Sequence, residues 1–455
     1  MADLSVRFAG LRLDNPLIAA AGPITGNVEM AKKLSDAGVG AIVSKTSFVK
    51  REYEQWVGRK DIFPYKPVYK YQGLDKGRLL SLPTQSDVPV DELARRVEAI
   101  KKSGITVIAS VIGLSVKGYT ESAKLLESAG ADAIELNFCC TIPEFTTLYR
   151  YAGENVSFNP KIYAKLIKAV KAVVSIPVGA KSTVSLAVYA KIFEGLLRAK
   201  IANRLPEFIT LTGQLDQNPG VDLETLKPLI PHISTFGWQG SLSPLTYSAL
   251  GTFSSSFGTD TPMLSASGGI GDHEGVITAM ALGATTVQFH TVILDKGPKV
   301  VSRTLKKLDA YLDQHGISHI REIIGMASRD YIPSFLIGRF MRERDQLFGR
   351  VYAGTEDGLC NGCGICEEVC TENAVSVPDK RAVIEKTRCR GCNLCILKCP
   401  TQALRLENRD EFEQMIARFK NSPATASLRK FMQKDKIGPL DLAMLPGKLK
   451  SWGFR

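Results

Sequence analysis

Eight of the chain's ten cysteines fall into two runs, Cys360-x2-Cys363-x2-Cys366-x3-Cys370 and Cys389-x2-Cys392-x2-Cys395-x3-Cys399-Pro400. A cubane iron–sulfur cluster needs a thiolate at each of its four corners. The x2 spacing lets three successive sulfurs of one tight loop point at one centre, and the fourth ligand comes from the other run. The runs therefore predict two 4Fe-4S clusters. One is expected on Cys360, Cys363, Cys366 and Cys399, the other on Cys389, Cys392, Cys395 and Cys370. A lone CxxC would equally suit zinc or a disulfide, but two complete runs favour clusters. Gly362, Gly364 and Gly391 suit loops whose backbone must come close to sulfur, and Thr371 stands where the second run has Pro400. Two adjacent clusters pass single electrons, so the chemistry is redox.

A second set of reactive residues lies earlier, each at the end of a short apolar run: Ala20-Ala21-Gly22, Ser44-Lys45-Thr46, Ser110, Asn137-Phe138-Cys139-Cys140, Lys181-Ser182, Thr210 to Gly213, Ser267-Gly268-Gly269 and His290-Thr291. Two lysines, an asparagine, a cysteine pair and a glycine pair form a coherent ring only if those ends converge. The runs themselves predict strands over Leu17–Ala21, Ala41–Ser44, Val107–Val111, Ala133–Asn137, Pro177–Ala180, Phe208–Leu211, Met263–Ala266 and Thr286–Phe289. Amphipathic stretches of helical period lie between many of them, several closed by a glycine such as Gly38, Gly104, Gly130 or Gly283. Eight strands with helical connections predict an α/β fold, a (β/α)8 TIM barrel with its reactive residues at the C-terminal strand ends. A doubly wound sheet is the alternative, weakened by the absence of a G-x-G-x-x-G turn after an early strand. Gly268-Gly269 ahead of a helix offers backbone N–H groups to a phosphate, and Thr291 adds a hydroxyl.

The expected organisation is a barrel over 1–310, a charged helical connector over 311–355, a two-cluster domain over 356–406 and a tail over 407–455 with a helix at Arg409–Lys420. Leu4–Leu13 alternates around Gly10 and reads as a hairpin capping the barrel's lower mouth. Residues 45–90 form a long insertion expected over the active site. No apolar run is long enough to span a membrane, and the N-terminus lacks the basic-then-apolar pattern of a secretory signal. With clusters held by reduced thiols, the expected location is cytoplasmic. The formal net charge of +12 suits an acidic partner, but no contiguous basic block or basic–aromatic run occurs, so nucleic acid is an unlikely partner.

These residues carry a resemblance. Asn15-Pro16 with Ala20-Ala21-Gly22, Ser44-Lys45-Thr46, Glu135-Leu136-Asn137-x-x-Cys140, Gly179-Ala180-Lys181, Gly268-Gly269 and Gly283-Ala284-x-x-Val287-Gln288 together resemble the dihydroorotate dehydrogenase family. Joined to the cluster domain, the chain resembles the barrel-plus-ferredoxin subunit of dihydropyrimidine dehydrogenases over about 1–406. The resemblance implies FMN at the barrel top, with Ala20, Ala21, Lys45, Asn137 and Lys181 at the isoalloxazine. Gly240, Gly268, Gly269 and Thr291 would hold its phosphate. A lysine beside the flavin would stabilise the negative charge that develops on reduction. Cys140 matches the catalytic cysteine, which exchanges a proton with the substrate carbon as hydride moves at the flavin. Cys139 reads as packing.

Three departures touch the substrate. Cys140 is followed by Thr141-Ile142-Pro143 rather than directly by proline, Lys181 by Ser182-Thr183-Val184 without Pro-Asn, and the sixth barrel strand by Thr210-Leu211-Thr212-Gly213-Gln214 without the expected asparagine. Asparagine amides match a pyrimidine edge better than threonine hydroxyls do; Gln72, Gln214 and Asn218 could substitute. The expected activity is an iron–sulfur flavoprotein oxidoreductase acting on a CH–CH or C=C bond of a small carbonyl-conjugated substrate. The chain has no NAD(P) fingerprint, so the implied partner is a separate NAD(P)H-oxidising flavoprotein subunit or a ferredoxin, in a homo- or hetero-oligomer. The alternatives are an electron-relay subunit without its own substrate and an FMN-dependent RNA uridine reductase.

Overall fold

The computed structural model describes residues 2–58, 88–140, 149–183, 186–202, 204–213, 221, 223–227, 242–257, 262–332, 347, 349–356, 358–432 and 447. The chain divides into two compact units between Tyr331 and Ile332, and returns to the first unit at Phe431.

The first unit is built on a closed parallel barrel. Its strands are β3 (Leu17–Ala19), β4 (Ala41–Val43), β5 (Val107–Val111), β6 (Ala133–Phe138), β7 (Val178–Ser182), β8 (Phe208–Leu211), β9 (Met263–Ser267) and β10 (Ala284–Phe289), with β10 closing onto β3. All eight expected strands are present. Strand β7 runs two residues further than its apolar run suggests, so Lys181 and Ser182 pair within the sheet, opposite Thr210 and Leu211 of β8. Every residue of β3 through β8 is buried, as a sheet covered on one face by helices and filled on the other requires.

Helices follow the strands in order: α1 (Val28–Asp36), α2 (Lys50–Gly58), α3 (Val90–Lys101), α4 (Val116–Ser128), α5 (Glu154–Ser157), α6 (Pro160–Lys171), α7 (Leu186–Ile201), α8 (Ser243–Phe257), α9 (His273–Ala281), α10 (Thr291–Lys296) and α11 (Lys299–Gln314). Asn27, Ser115, Asn159 and Asp272 cap α1, α4, α6 and α9 through side chains that accept a backbone N–H of the first turn. Helix α8 has no amphipathic signature because Ala249–Phe257 is buried all round. Its hydroxyls bond back into the helix, Ser255 Oγ to the Gly251 carbonyl at 2.6 Å and Ser256 Oγ to that of Thr252 at 2.7 Å.

The hairpin β1 (Val6–Phe8) and β2 (Leu11–Leu13) closes the lower mouth, as its alternation predicts. Phe8 is fully buried with its ring centroid 4.9 Å from that of Phe208, which opens β8. Gly179 of β7 makes room for this plug, since a Cβ there would lie 2.2 Å from the Phe208 ring. Higher in the barrel, Thr210 Oγ1 and Gln288 Nε2 donate to Glu135 Oε2 at 2.6 and 3.0 Å. These three side chains come from β8, β10 and β6, alternate strands meeting in one interior layer.

The second unit holds two antiparallel ribbons, β11 (Tyr352–Thr355) with β14 (Leu404–Glu407) and β12 (Val375–Ser376) with β13 (Val383–Ile384). Two short helices, Ile365–Glu368 and Leu394–Lys398, complete it. Each follows a left-handed residue, Gly364 at φ 79° and Asn393 at φ 65°, so the two cysteine runs repeat one backbone path. The tail helix Arg409–Lys420 forms over the residues expected, and its Met415 and Phe419 pack with Leu347 and Val351 in a second small core. A further helix, Pro423–Met432, follows it.

Candidate active site

The upper ends of β3, β4, β6, β7 and β10 bring most of the expected residues together. Cys140 follows β6 and is half-buried. Asn137, at the end of the same strand, holds it: its Nδ2 donates to Cys140 Sγ at 2.9 Å and to Thr46 Oγ1 at 3.0 Å. Its Oδ1 accepts the backbone N–H groups of Cys139 at 3.1 Å and Cys140 at 3.0 Å. Those two N–H groups require an acceptor, which fixes the orientation of the amide. All four bonding capacities of the Asn137 amide are thus used within the protein. Thr46 in turn bonds Ser110 Oγ at 2.8 Å, extending the chain of bonds to β5.

Lys181 sits opposite Asn137 in the β6–β7 register and is buried. Gly213 lets it and Cys139 approach: a Cβ at 213 would lie 2.0 Å from Cys139 Sγ and 3.3 Å from Lys181 Cε. Cys139 itself is buried, consistent with packing. Lys45 follows β4, with its Cβ 3.0 Å from where a Cβ on Gly26 would stand. The Ala20-Ala21-Gly22 turn is tied to β10 by the Ala20 N–H, which donates to the Phe289 carbonyl at 2.8 Å. Thr25 fixes its far side by accepting the Gly22 N–H at 3.1 Å. Burial, together with the ammonium groups of Lys181 and Lys45, holds the His290 imidazole well below its ordinary pKa and hence neutral.

Gly268 and Gly269 follow β9 with φ of 98° and 77°, a left-handed pair that glycine adopts freely. The helix after them, α9, begins four residues later, and the Asp272 carboxylate accepts the Gly275 N–H at its N-terminus. The helix end that abuts the turn is that of α8, for a Cβ on Gly269 would lie 2.3 Å from Ser243 N. Thr291 opens the short helix α10. Gly240 lies outside the described residues, as do Thr141-Ile142-Pro143, Gln72, Gln214, Asn218 and most of the long insertion.

The threonines at the end of the sixth barrel strand, Thr210 within β8 and Thr212 just past it, are committed elsewhere. Thr210 donates to Glu135, and Thr212 Oγ1 bonds the Ser267 carbonyl and Thr246 Oγ1, the latter at 2.7 Å. Thr212 also stands at φ 53°, a strained conformation for a β-branched residue. Thr46 and His290 stand in the strand-end ring read from the sequence but without a role there, because Thr46 bonds residues of other strands and the His290 ring lies on Gly22. Sequence reasoning passed over Thr25, whose bonds to Gly22 and Ala20 are local to the turn after β3.

In the second unit one cavity is lined by Cys360, Cys363, Cys366 and Cys399, three sulfurs from the first run and one from the second. Among the described residues no three metal-binding side chains converge on a single-ion site. A cubane does not ask them to, because each thiolate binds a different iron. Backbone N–H groups already point at sulfur: Ala403 N to Cys399 at 3.2 Å, Ala374 N to Cys370 at 3.2 Å and Ala353 N to Cys389 at 3.4 Å. Such bonds favour the thiolate and raise a cluster's potential. Burial, with Cys389 and Cys392 nearby, pushes Cys395 up to about 11, and Cys366 is close enough to add to the effect. The two cysteine loops are therefore neighbours.

Residues 84–312 match the profile of the dihydroorotate dehydrogenase family, half of the chain. The chain belongs to that family. Residues 359–403 match a 4Fe-4S dicluster domain. Similar chains include the NAD-dependent dihydropyrimidine dehydrogenase subunit PreA of Escherichia coli K12, 25% identical over 81% of this chain and 85% of that protein. The catalytic subunit of dihydroorotate dehydrogenase B (NAD(+)) of Thermoplasma acidophilum is 24% identical over 72% of this chain and all of that one. Among solved structures, a dihydroorotate dehydrogenase of Eimeria tenella in complex with ferulenol superposes with a TM-score of 0.54 at 16% identity. It covers 72% of this chain and 89% of its own, and shares the fold.

This member of the dihydroorotate dehydrogenase family is an iron–sulfur flavoprotein oxidoreductase, with FMN and two 4Fe-4S clusters as its cofactors. The residues fit them. Two cationic strand-end lysines suit a flavin that becomes anionic, a left-handed Gly-Gly turn against the N-terminus of α8 suits a phosphate, and the four-cysteine cavity suits a cubane. No helix among the described residues is long and apolar enough to cross a membrane.

Proposed function

We propose that this protein reduces, or in reverse dehydrogenates, a C=C bond conjugated to a carbonyl in a small cyclic substrate, and exchanges the electrons with an external partner through its clusters. The observation that carries this reading is the Asn137–Cys140 bond of 2.9 Å beside the two strand-end lysines. It gives an acid–base thiol a fixed position at the barrel mouth. FMN, when bound, supplies a two-electron hydride acceptor that also releases electrons singly.

Cys140 takes or gives the proton at the substrate carbon next to the one that exchanges hydride. A thiol does this at modest cost near neutrality. Asn137 holds the sulfur on station, and Lys45 and Lys181 supply positive charge to the flavin ring with Ala20 and Ala21 against it. Gly268, Gly269, Gly240 and Thr291 would hold its phosphate. The two crossed cysteine sets carry the clusters.

The pyrimidine-reading positions differ from the family pattern, and Thr210 and Thr212 spend their hydroxyls inside the barrel. Dihydrouracil, dihydrothymine and dihydroorotate are therefore the substrates to test, and the electron partner is a separate NAD(P)H-oxidising flavoprotein subunit or a ferredoxin in the cytoplasm. Anaerobic mixing with each compound, following the flavin band, decides the matter. Bleaching by one names the substrate class. No bleaching, while dithionite reduces both flavin and clusters, would mean that the altered residues have moved the enzyme to another substrate or left it an electron-relay subunit.

A further inference from the structure

The eight barrel strands contain only two charged side chains, Glu135 of β6 and Lys181 of β7. Both are buried, Glu135 completely. Asn137 stands two residues after Glu135, hence on the same face of β6, and pairs with Lys181 across the sheet. Glu135 itself pairs with Gly179, so it lies one layer below Lys181 with no side chain opposite it on β7. The carboxylate spends its bonds on neutral donors. Its Oε2 accepts from Thr210 Oγ1 at 2.6 Å and from Gln288 Nε2 at 3.0 Å, while Oε1 has no hydrogen-bond partner. Gln288 Nε2 also donates to Thr210 Oγ1 at 3.1 Å, which commits the Thr210 proton to the carboxylate. A separation of 2.6 Å is that of a hydroxyl donating to an ionised oxygen. A buried carboxylate stays ionised only with positive charge nearby, and Lys181 is the cation that the strands supply.

We propose that Glu135 is an electrostatic counterweight to Lys181, a fixed negative charge beneath the flavin site that lowers the reduction potential of bound FMN. This rests on the function proposed above, in which Lys45 and Lys181 face the flavin ring. Reduction brings negative charge onto that ring, and the lysines favour the change. A carboxylate in the same low-dielectric interior opposes it. Thr210 and Gln288 hold the carboxylate in the layer below, so its bonds do not consume the ammonium that the ring needs. The offset suits a protein whose flavin passes electrons onward to 4Fe-4S clusters, because two unopposed ammonium groups would retain those electrons on the flavin. Glu135 acts through its field alone and exchanges no proton.

The test is the flavin midpoint potential of the full-length, cluster-loaded, FMN-reconstituted protein, measured anaerobically at one pH for wild type, Glu135→Gln and Glu135→Asp. Glu135→Gln keeps an oxygen for the Thr210 and Gln288 donors and removes the charge. Its potential should rise by at least about 30 mV, a tenfold change in a two-electron equilibrium. Glu135→Asp keeps the charge and should stay within that margin of wild type. Glu135→Ser repeats the neutralisation should Glu135→Gln fail to retain FMN, with iron content and circular dichroism verifying the fold. An unchanged potential in a neutral variant that binds FMN would overturn this inference alone. Equal shifts in Glu135→Gln and Glu135→Asp would also overturn it, by tracing the effect to packing instead of charge. So would loss of the fold in both neutral variants beside a sound Glu135→Asp, since the charge would then serve the fold. A wild-type protein that takes up no FMN would overturn the proposed function and this inference with it.

Discussion

The Asn137 side chain, expected beside the flavin, uses its amide to hold the Cys139–Cys140 turn and to bond Thr46 of the Thr46–Ser110 pair. Those bonds fix where the Cys140 thiol stands. Cys140→Ala should lower turnover by about 10²–10⁴-fold, the range of a lost general acid–base group, and leave FMN and cluster absorbance intact. Near-normal turnover in that variant would remove Cys140 from the mechanism. Asn137→Leu should also slow turnover, and it strands two backbone donors at a cost of about 1–3 kcal/mol each, read as a lowered Tm. Cys140, Asn137 and Lys181 were legible in the sequence because each ends an apolar run, and a strand end in a barrel faces the site. Thr46 and His290 carried the same positional signal. Their contacts reach residues of other strands, which linear order does not give.

At the scale of elements, the strands were legible because the buried parallel sheet writes itself as short apolar runs. The hairpin at the lower mouth was legible from its period of two. Helix α8 was not, because a helix buried on all sides loses the periodicity that marks amphipathic ones. The plug at the lower mouth should be costly to disturb. Phe8→Ala should destabilise the barrel by about 3–5 kcal/mol, as a large buried ring is lost. Gly179→Ala should cost about 1–3 kcal/mol, because the Phe208 ring has no room to retreat. Denaturant titration of each variant, with the flavin band as a second probe, checks both. An unchanged midpoint for Phe8→Ala would mean that the hairpin does not seal the core.

The whole molecule joins a substrate-facing barrel to an electron-carrying unit, and the joint composition was legible from the two cysteine runs together with the ordered strand ends. Crossed ligation makes a sharp prediction for the second unit. Cys370 and Cys392 are expected on the same cluster although they belong to different runs. The double variant Cys370→Ser/Cys392→Ser should therefore keep about half the wild-type iron, with one cluster's ligands intact. If each run held its own cluster, both would be damaged and the iron would fall further. The cavity that gathers Cys399 with Cys360, Cys363 and Cys366 also has a consequence for biosynthesis. A nascent chain that has left the ribosome as far as Cys370 presents three thiols of one site and a single thiol of the other, and can complete neither. Iron delivery must wait for the last ligand, thirty-nine positions after the first, and so becomes a post-translational checkpoint on whether synthesis reached the end of the module.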